Sequence, residues 1–385
     1  MKSDGSGKPV KDQLNMSRQS HSQLVKALLH WFAKHKRALP WRATRDPYRI
    51  WISEVMLQQT QAATVIPFYE RFLEQFPDLA ALAAADDRIL MKAWEGLGYY
   101  ARARNLRAAA QTIVREHDGK LPTSTEALLK LPGFGPYTAA AVASLAFGAD
   151  CAAVDGNVTR VLARVYAIDA DIRQTSTRRR LQRLADALVP RGRAGAFNEA
   201  LMELGALVCR PKNPACSDCP IRRFCRAFQE DRVRDLPVKS PRPAVPHHEI
   251  AIGVVHRKGK VLIALRPVDG LLGNLWEFPG GKRQTDETLA ECCRREIKEE
   301  TDLDVEVTET FAIVPHAYTH FRITLHAFHC RYTRGRAQPR TSQAIRWVTL
   351  DELDDYAFPK ANKQIIAALR ESIRSRESIE SDERF

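Results

Sequence analysis

The stretch Leu131-Pro132-Gly133-Phe134-Gly135-Pro136-Tyr137 decides the fold of the first half of this chain. It lies between two segments with helical apolar spacing. Gly133 and Gly135 permit a tight turn with close backbone approach, and Pro136 suits the first position of a second helix. Free N–H groups at such a turn favour an anion. The stretch therefore predicts two helices joined by a hairpin that binds a phosphate group without sequence preference. An ordinary connection between helices is the alternative.

Helical spacing extends from His21 to about Arg232, on both sides of the hairpin. Thr123 and Glu126 fit a capping box at the start of one helix. The sequence predicts an all-α first domain over 21–233, preceded by a disordered polar tail over 1–20. Apolar stripes that we expect to be core occur within 24–32, 158–165 and 181–188.

The pattern changes after residue 233. Four prolines among basic residues mark 234–246 as an extended linker. Strands are predicted over 250–256 and 260–266 around a Lys258-Gly259 turn, and again over 323–330 and 344–350. Helices are predicted over 288–301 and 361–372. The second domain is therefore expected to be a smaller α/β fold over 247–372, followed by a charged tail over 373–385.

Composition narrows the functional class. A net charge of +13 favours a polyanion partner, and nucleic acid is the first candidate. A hydrophobic content of 44% excludes a disordered chain. No apolar run approaches the roughly 20 residues that span a bilayer, and the first twenty residues lack the apolar core of a secretory signal. We therefore expect a cytoplasmic protein.

Four of the eight cysteines are clustered, separated by six, two and five residues. Four thiolates so close in sequence can surround one metal centre, and the spacing leaves a zinc site and a cubane iron–sulfur cluster both open. Basic neighbours from Arg210 to Arg226 make the loop a candidate phosphate contact. The scattered Cys151, Cys292, Cys293 and Cys330 are expected to be small buried apolar side chains. The clustered residues are Cys209, Cys216, Cys219 and Cys225.

Glu54 lies in an apolar stretch, 51–61. A carboxyl group in an apolar pocket has a raised pKa and can act as a general acid near neutral pH. A solvent-facing helical glutamate is the alternative. The hairpin and the cysteine spacing resemble the helix–hairpin–helix DNA glycosylase superfamily that includes endonuclease III. The stretch around Glu54 closely resembles the motif of MutY-type adenine DNA glycosylases.

This resemblance implies an all-α helix–hairpin–helix glycosylase domain with a [4Fe-4S] cluster on the four clustered cysteines. It implies that Glu54 protonates adenine and later activates water, while Asp155 stabilises the sugar cation, in parallel with glycoside hydrolysis. Tyr137 and Asn157 would support the site. Tyr137 also stands where backbone-cutting relatives carry the lysine that attacks the sugar, which favours a monofunctional glycosylase.

The target base must leave the duplex stack to be reached. By the same resemblance, Gln59 and Tyr99 wedge beside the lesion, and Gly133 and Gly135 contact DNA. Taken singly, each of these residues is more often core or surface. The adenine pocket would be formed by Arg37, Trp41, Arg42 and Glu199.

The segment from Gly281 to 303 follows the Nudix box pattern. Asp302 stands where that pattern has glycine, so the loop geometry after the helix is open to question. The resemblance implies an α/β Nudix-like domain that reads 8-oxoguanine on the opposite strand through Tyr318, Thr319 and His320, in place of Phe-Ser-His. Retained Mg²⁺-dependent nucleotide hydrolysis is the second interpretation. Its metal ligands would be Glu296, Glu299 and Glu300, which share one helix face.

The sequence thus predicts a monofunctional adenine DNA glycosylase of base excision repair. We expect a monomer that acts on adenine opposite 8-oxoguanine or guanine in double-stranded DNA, with no membrane partner, in the bacterial cytosol or nucleoid. A bifunctional lyase for pyrimidine lesions, a nucleotide pyrophosphatase and a non-catalytic DNA-binding module are the alternatives.

Overall fold

The structure is a computed structural model, and it describes residues 16–241, 244–318 and 320–382, with side chains up to residue 375. Contacts divide the chain into two compact units. The first comprises Met1–Ala83 and Ala108–Arg242, and the second comprises Ala84–Arg107 and Pro243–Phe385. Most of the predicted tail over 1–20 lies outside the described residues, and so does Thr319.

In the described residues, the secondary structure of the first unit is helical, and the second unit combines helices with a sheet. Within the described chain, none of the helices is both long and apolar enough to cross a membrane. In chain order they are α1 (Arg18–His35), α2 (Pro47–Met56), α3 (Ala62–Gln75), α4 (Leu79–Ala83), α5 (Asp87–Ala93), α6 (Ala101–Glu116), α7 (Thr125–Leu128), α8 (Pro136–Ala146), α9 (Gly156–Val165), α10 (Thr175–Leu188), α11 (Ala194–Leu207), α12 (Arg226–Gln229), α13 (Leu289–Thr301) and α14 (Lys360–Asp382).

Side-chain caps explain where several helices begin. Ser17 accepts a hydrogen bond from the Ser20 N–H at the start of α1, and Asp46 accepts one from Tyr48 N at the start of α2. Such caps satisfy N–H groups that have no partner inside the helix. The capping box predicted at Thr123 is wrong by one position, because Ser124 caps α7 by accepting from the Ala127 N–H.

The main core of the first unit lies between α1, α9, α10 and α11. The three apolar stripes predicted from the sequence are buried there, with Leu28 on α1, Val161 on α9 and Leu184 on α10 each at most 1% exposed. Burial of such side chains removes apolar surface from water and stabilises the fold. Because α9 and α11 both pack in this core, their orientations in the first unit are fixed.

The predicted hairpin lies between α7 and α8. Gly133 has a φ of +75°, which an L side chain rarely adopts. Gly135 is the N-cap residue of α8 and Pro136 is its first residue. The glycine spacing thus makes the tight turn that was predicted.

The second unit is built on one mixed sheet. Its strand order is β3-β2-β1-β6-β5, with β4 paired to β1 and β7 paired to β2. β1 and β6 run parallel over ten residue pairs, and the other pairs are antiparallel. The strands are β1 (His247–Arg257), β2 (Lys260–Leu265), β3 (Trp276–Glu277), β4 (Gly280–Lys282), β5 (Asp304–Ala317), β6 (Arg322–Arg334) and β7 (Ala344–Val348).

One helix covers each face of this sheet. α13 packs Ile297 against one face, and α14 packs Ile365 and Leu369 against the other. Cys292, Cys293 and Cys330 are fully buried, as expected of small apolar side chains. Cys151, in the first unit, is only partly buried and bonds to a backbone carbonyl on α8.

The C-terminal ends of α13 and α14 differ from what the sequence patterns predict. Asp302 closes α13 with a φ of 61° and a ψ of 18°, so it adopts the left-handed conformation that glycine has in the Nudix pattern. Its carboxylate pairs with Lys298 at 3.3 Å and Arg340 at 3.0 Å, and these contacts offset the strain. α14 continues to Asp382, ten residues past the predicted end at Ser372, because no glycine or proline interrupts it.

Candidate functional site

Glu54 lies on α2, facing a cleft in the first unit of about 1170 Å³. The helix is apolar around it, and the glutamate itself is only 4% exposed. Eleven residues proposed from the sequence line this one cleft. They are Arg37, Trp41, Arg42, Glu54, Gln59, Gly133, Gly135, Tyr137, Asp155, Asn157 and Glu199.

The Glu54 carboxyl group has a strongly raised pKa. Burial raises its pKa to about 7, and the nearby negative charges of Asp155 and Glu199 add to that rise. The Tyr137 hydroxyl donates to Glu54 Oε2 at 2.5 Å and acts in the opposite direction. A carboxyl group in this state exchanges a proton near neutral pH, as a general acid must.

Asp155 caps the N-terminus of α9. Its Oδ1 accepts from the Val158 N–H at 2.7 Å, and its Oδ2 accepts from Asn157 Nδ2 at 2.9 Å. Burial raises the pKa of Asp155, and these hydrogen bonds oppose the rise. The helix N-terminus also favours a negative charge. The arrangement orients a carboxylate into the cleft beside an acid.

Arg160 is a residue that sequence reasoning missed. Its Nη2 donates to Asn157 Oδ1 and to the Gly205 carbonyl, each at 2.8 Å, and its Nε donates to the Cys209 carbonyl at 2.7 Å. Arg160 therefore fixes the amide that in turn bonds to Asp155. No local motif could have indicated this, because its partners on α11 and the cysteine loop are 45 to 49 residues away.

Asn198 on α11 was also missed. Its side chain is fully buried. Its Oδ1 accepts from the Ala153 N–H at 3.1 Å, and its Nδ2 donates to Ser144 Oγ and the Cys151 carbonyl, both at 2.9 Å. These bonds hold the extended segment that leads into Asp155.

A network of charged side chains also lines the cleft. Arg42 donates to Glu199 at 2.9 Å and to Glu203 at 3.1 Å. Arg37 reaches Glu203 at 2.6 Å. Burial would raise the pKa of Glu203, but the hydrogen bonds from the two arginines outweigh it and lower that pKa to about 2. Glu203, absent from the sequence prediction, thus orients both predicted pocket arginines.

The predicted aromatic wall of the pocket is also present. Trp41 is 7% exposed and meets the Tyr69 ring edge-on, with centroids 5.4 Å apart. Trp41 follows Pro40 in a short 3-10 turn. This fixed indole offers a flat apolar surface of the kind that stacks on a base.

Both predicted wedge residues have a left-handed backbone. Gln59 has a φ of 60° and lies in the first unit, and Tyr99 has a φ of 48° and lies in the second. Both side chains are exposed. Non-glycine residues held in this conformation are uncommon and concentrate at functional sites.

The cysteine loop follows α11. Cys209, Cys216, Cys219 and Cys225 all carry free thiols. Burial raises the pKa of Cys219 to about 12 and that of Cys225 to about 11, and the other thiols of the loop add to both rises. The thiols of the loop therefore lie within electrostatic range of one another. In the described part of the chain, no three Cys, His, Asp or Glu side chains are placed to hold a single metal ion.

The Nudix box extends from β4 to the residues that follow α13. Arg295 bonds to Glu287 at 2.7 Å, to Glu296 at 2.8 Å and to Glu299 at 3.3 Å. Burial raises the pKa of Glu300 to about 8, and the negative charge of Glu277 adds to the rise. Glu277 itself pairs with Arg266 on β2; neither was foreseen from sequence.

The predicted lesion-reading stretch follows β5. The Tyr318 N–H donates to the Phe321 carbonyl at 2.9 Å, which closes a tight turn. The Tyr318 ring packs beside His316 and Phe321 with centroids 4.7 and 4.8 Å away. His320 is exposed at this turn, and Thr319 lies outside the described residues.

Comparison with known proteins gives the same two-part composition. Residues 52–187 match the HhH-GPD superfamily of base excision DNA repair proteins, and residues 251–368 match the NUDIX domain. The second match covers most of the sheet, all of α13 and the first part of α14.

Two relatives match over two thirds or more of the chain. The chain is 35% identical to an adenine DNA glycosylase of Rattus norvegicus over 90% of this chain and 78% of that protein. It is 33% identical to an adenine DNA glycosylase of Buchnera aphidicola over 67% of this chain and 74% of that protein. A solved structure of a thermostable thymine-DNA glycosylase aligns with a TM-score of 0.51 at 32% identity, over 55% of this chain and 98% of its own.

Proposed function

This chain belongs to the adenine DNA glycosylase family, and from that premise we propose that it excises adenine mispaired with 8-oxoguanine or guanine. Family membership makes it a DNA glycosylase of base excision repair. The mispair and the roles of single residues are our proposal. The observation that supports it most is the Glu54 carboxyl group, buried in a cleft beside Asp155 with a pKa of about 7.

The proposed reaction uses the two carboxyl groups in sequence. Adenine is flipped into the cleft, and Glu54 donates its proton to a ring nitrogen. The N-glycosidic bond then breaks, with its electron pair leaving on adenine. The Asp155 carboxylate stabilises the sugar cation. Water adds to that cation, and the Glu54 carboxylate accepts the proton that the water loses.

Tyr137 supports a monofunctional reaction. Its hydroxyl donates to Glu54 at 2.5 Å, so it holds the acid in place. A phenol at this position cannot form the Schiff base that a lysine would form with the sugar. We therefore propose base release without strand cleavage.

Substitution of the acid tests this proposal. Glu54→Gln keeps the shape of the side chain but removes the proton donor, so single-turnover adenine release should fall by about 10²–10⁴-fold. Glu70→Gln, on the exposed face of α3, is the matched control and should release adenine at the wild-type rate. A Glu54→Gln enzyme with wild-type release would contradict the assignment.

We propose that the four cysteines of the loop hold a [4Fe-4S] cluster. The donor set fits, because the other three free thiols lie within electrostatic range of Cys219. Arg164 Nη1, at 3.3 Å from Cys209 Sγ, would balance thiolate charge. Bound there, the cluster would supply a rigid loop rather than reaction chemistry. Exposed Arg222 and Arg223 on this loop would contact phosphates.

The second unit is proposed to read 8-oxoguanine on the strand opposite the adenine. Tyr318 and His320 lie on the tight turn after β5 and supply an aromatic face and a ring N–H for a damaged base. The hydroxyl of Thr319 remains part of this proposal from sequence. Adenine opposite 8-oxoguanine should be the preferred substrate over adenine opposite guanine.

Nudix chemistry is a second candidate function, which we rank below lesion reading. It is favoured by the carboxyl groups that cluster around Glu300. A carboxyl group with a pKa of about 8 is protonated at neutral pH, so Mg²⁺ would have to displace its proton. The full-length chain should then hydrolyse 8-oxo-dGTP with Mg²⁺ faster at pH 9 than at pH 7, and Glu300→Gln should abolish this. No hydrolysis at either pH would exclude this candidate.

A further inference from the structure

The turn that carries Tyr99 lies between α5 and α6, and we call residues 94–100 the Tyr99 turn. Its backbone is bound from two sides. Trp94 Nε1 donates to the Gly98 carbonyl at 3.1 Å. Arg102 Nη2 donates to the same carbonyl and to Leu97 O, each at 3.1 Å. The Arg102 guanidinium also lies 5.3 Å from the Trp94 ring and 5.5 Å from the Tyr99 ring.

Tyr99 itself combines strain with exposure. Its φ of 48° is unusual for a residue with a side chain, and 46% of the residue is exposed. A large aromatic side chain held outward on a strained backbone is poorly explained by packing alone. Such a side chain is suited to insertion between stacked bases. The turn that carries it must then be rigid, because the bases tend to stack again and push the side chain out.

Glu95 connects this turn to the C-terminal part of the second unit. Its Oε1 accepts from the Phe358 N–H at 2.9 Å. Its Oε2 pairs with Lys363 at 2.9 Å and with Lys92 at 3.0 Å. The glutamate side chain is only 7% exposed. We call these four groups the Glu95 clamp.

The Glu95 carboxylate has hydrogen-bonding partners for both of its oxygen atoms. Burial alone would raise the pKa of Glu95, but the Phe358 N–H and the two ammonium groups outweigh it and lower that pKa. Glu95 therefore stays anionic at neutral pH. A buried carboxylate with three donors is held firmly in position. Loss of one donor loosens it, although the remaining ammonium group still balances its charge.

Three further contacts join the same two segments. Lys92 Nζ donates to the Tyr356 carbonyl at 3.1 Å, and the Tyr100 hydroxyl reaches the Phe358 carbonyl at 3.5 Å. Arg104 donates to the Gly273 carbonyl at 2.7 Å. These contacts explain why Ala84–Arg107 clusters with the C-terminal residues.

We propose that Glu95 is a positioning residue that ties the Tyr99 turn to the C-terminal domain, so that the lesion-reading domain holds the wedge. The inference rests on the proposed wedge role of Tyr99. It goes beyond that role, since it makes insertion of Tyr99 depend on a domain other than the catalytic one. A simple structural ion pair would instead contribute stability without affecting the position of Tyr99.

Wedge insertion can be measured directly with full-length protein. The probe is a duplex with 8-oxoguanine opposite 2′-fluoro-deoxyadenosine, which resists cleavage, and with 2-aminopurine next to the 8-oxoguanine. Unstacking by the wedge raises 2-aminopurine fluorescence. The variants are Glu95→Gln, Lys363→Met and Tyr99→Ala. The matched control is Lys260→Met, an exposed lysine of the same unit.

Glu95→Gln, Lys363→Met and Tyr99→Ala should each lose most of the fluorescence rise. Each should also slow single-turnover adenine release from the cleavable duplex by about tenfold, the scale of one lost stacking contact. The double variant Glu95→Gln/Tyr99→Ala should be no worse than Tyr99→Ala, because both changes remove the same wedge. Lys260→Met should behave as wild type.

Additive losses in the double variant would overturn the proposal, since they would show that Glu95 acts through general stability. A wild-type fluorescence rise in Glu95→Gln would also overturn it. Lys363→Met removes one partner of Glu95 without changing a residue of the Tyr99 turn. It therefore keeps the test valid if Glu95→Gln fails to fold. If the proposed function is wrong, the wild-type protein will release no adenine. The difference in 2-aminopurine fluorescence between wild type and Glu95→Gln would still test the role of the Glu95 clamp.

Discussion

Among single residues, Glu54 and Tyr137 make the most quantitative prediction. Glu54 is protonated below its pKa of about 7, so adenine release should fall as pH rises through that value. The Tyr137 hydrogen bond lowers this pKa. Tyr137→Phe should therefore move the alkaline limb of the single-turnover pH–rate profile to higher pH. Tyr166→Phe, which also removes a buried hydroxyl in the first unit, should leave the limb in place.

An alkaline limb in Tyr137→Phe at or below the wild-type position would contradict this account of Glu54. We expect Asp155 to set the acidic limb of the pH–rate profile, because in the proposed reaction its anionic form stabilises the sugar cation. Burial raises the pKa of Asp155, so its protonation should reduce the rate as pH falls.

Sequence motifs that are continuous identified residues that share one cleft. Glu54, Tyr137 and Asp155 each lie in a short recognisable stretch, and the fold brings them to one cleft. Glu203 could not be found this way, since its partner Arg37 is 166 residues away. Its importance arises only from the packing of α11 against the start of the chain. The chemical roles of the cleft residues stay predictions.

Among secondary-structure elements, α11 packs closely against α9 and holds Asn157 in position. A Cβ atom added at Gly205 would lie 2.6 Å from the Asn157 Cβ atom, closer than packed side chains allow. Gly205→Ala should displace Asn157, weaken its bond to Asp155 and lower adenine release to the level of Asn157→Ala. Overpacking should also lower stability by about 1–3 kcal/mol in thermal unfolding.

Single-turnover kinetics and a thermal melt on the same Gly205→Ala sample check this prediction. Wild-type release by Gly205→Ala would show that α9 tolerates the extra methyl group. The double variant Gly205→Ala/Asn157→Ala should be no slower than the slower single variant, because both substitutions act through one amide.

Element-scale prediction was confirmed for the hairpin before α8 and for the turn at Lys258-Gly259 between β1 and β2. The parallel pairing of β1 with β6 was not foreseen, because it joins strands far apart in sequence and turn signals specify only neighbours. Helix ends were also inexact, as α14 shows, since they depend on caps and tertiary contacts.

For the whole molecule, the division into two units differs from a division read along the sequence. Helical spacing placed 84–107 within the first domain, but contacts group Ala84–Arg107 with the C-terminal residues. The Glu95–Lys363 bond that joins them spans 268 positions, which no local pattern can reveal. The net charge of +13 belongs to the same scale and favours a polyanionic substrate.

Adenine excision without strand cleavage is the central activity proposed for this protein. The most direct measurement is single-turnover base release by wild-type protein from three duplexes, which carry adenine opposite 8-oxoguanine, adenine opposite guanine, and thymine glycol, each with a parallel borohydride trap. We predict fast adenine release from the first, slower release from the second, none from the third and no trapped covalent complex. Release from the thymine glycol duplex alone, or a borohydride-trapped complex, would contradict the account.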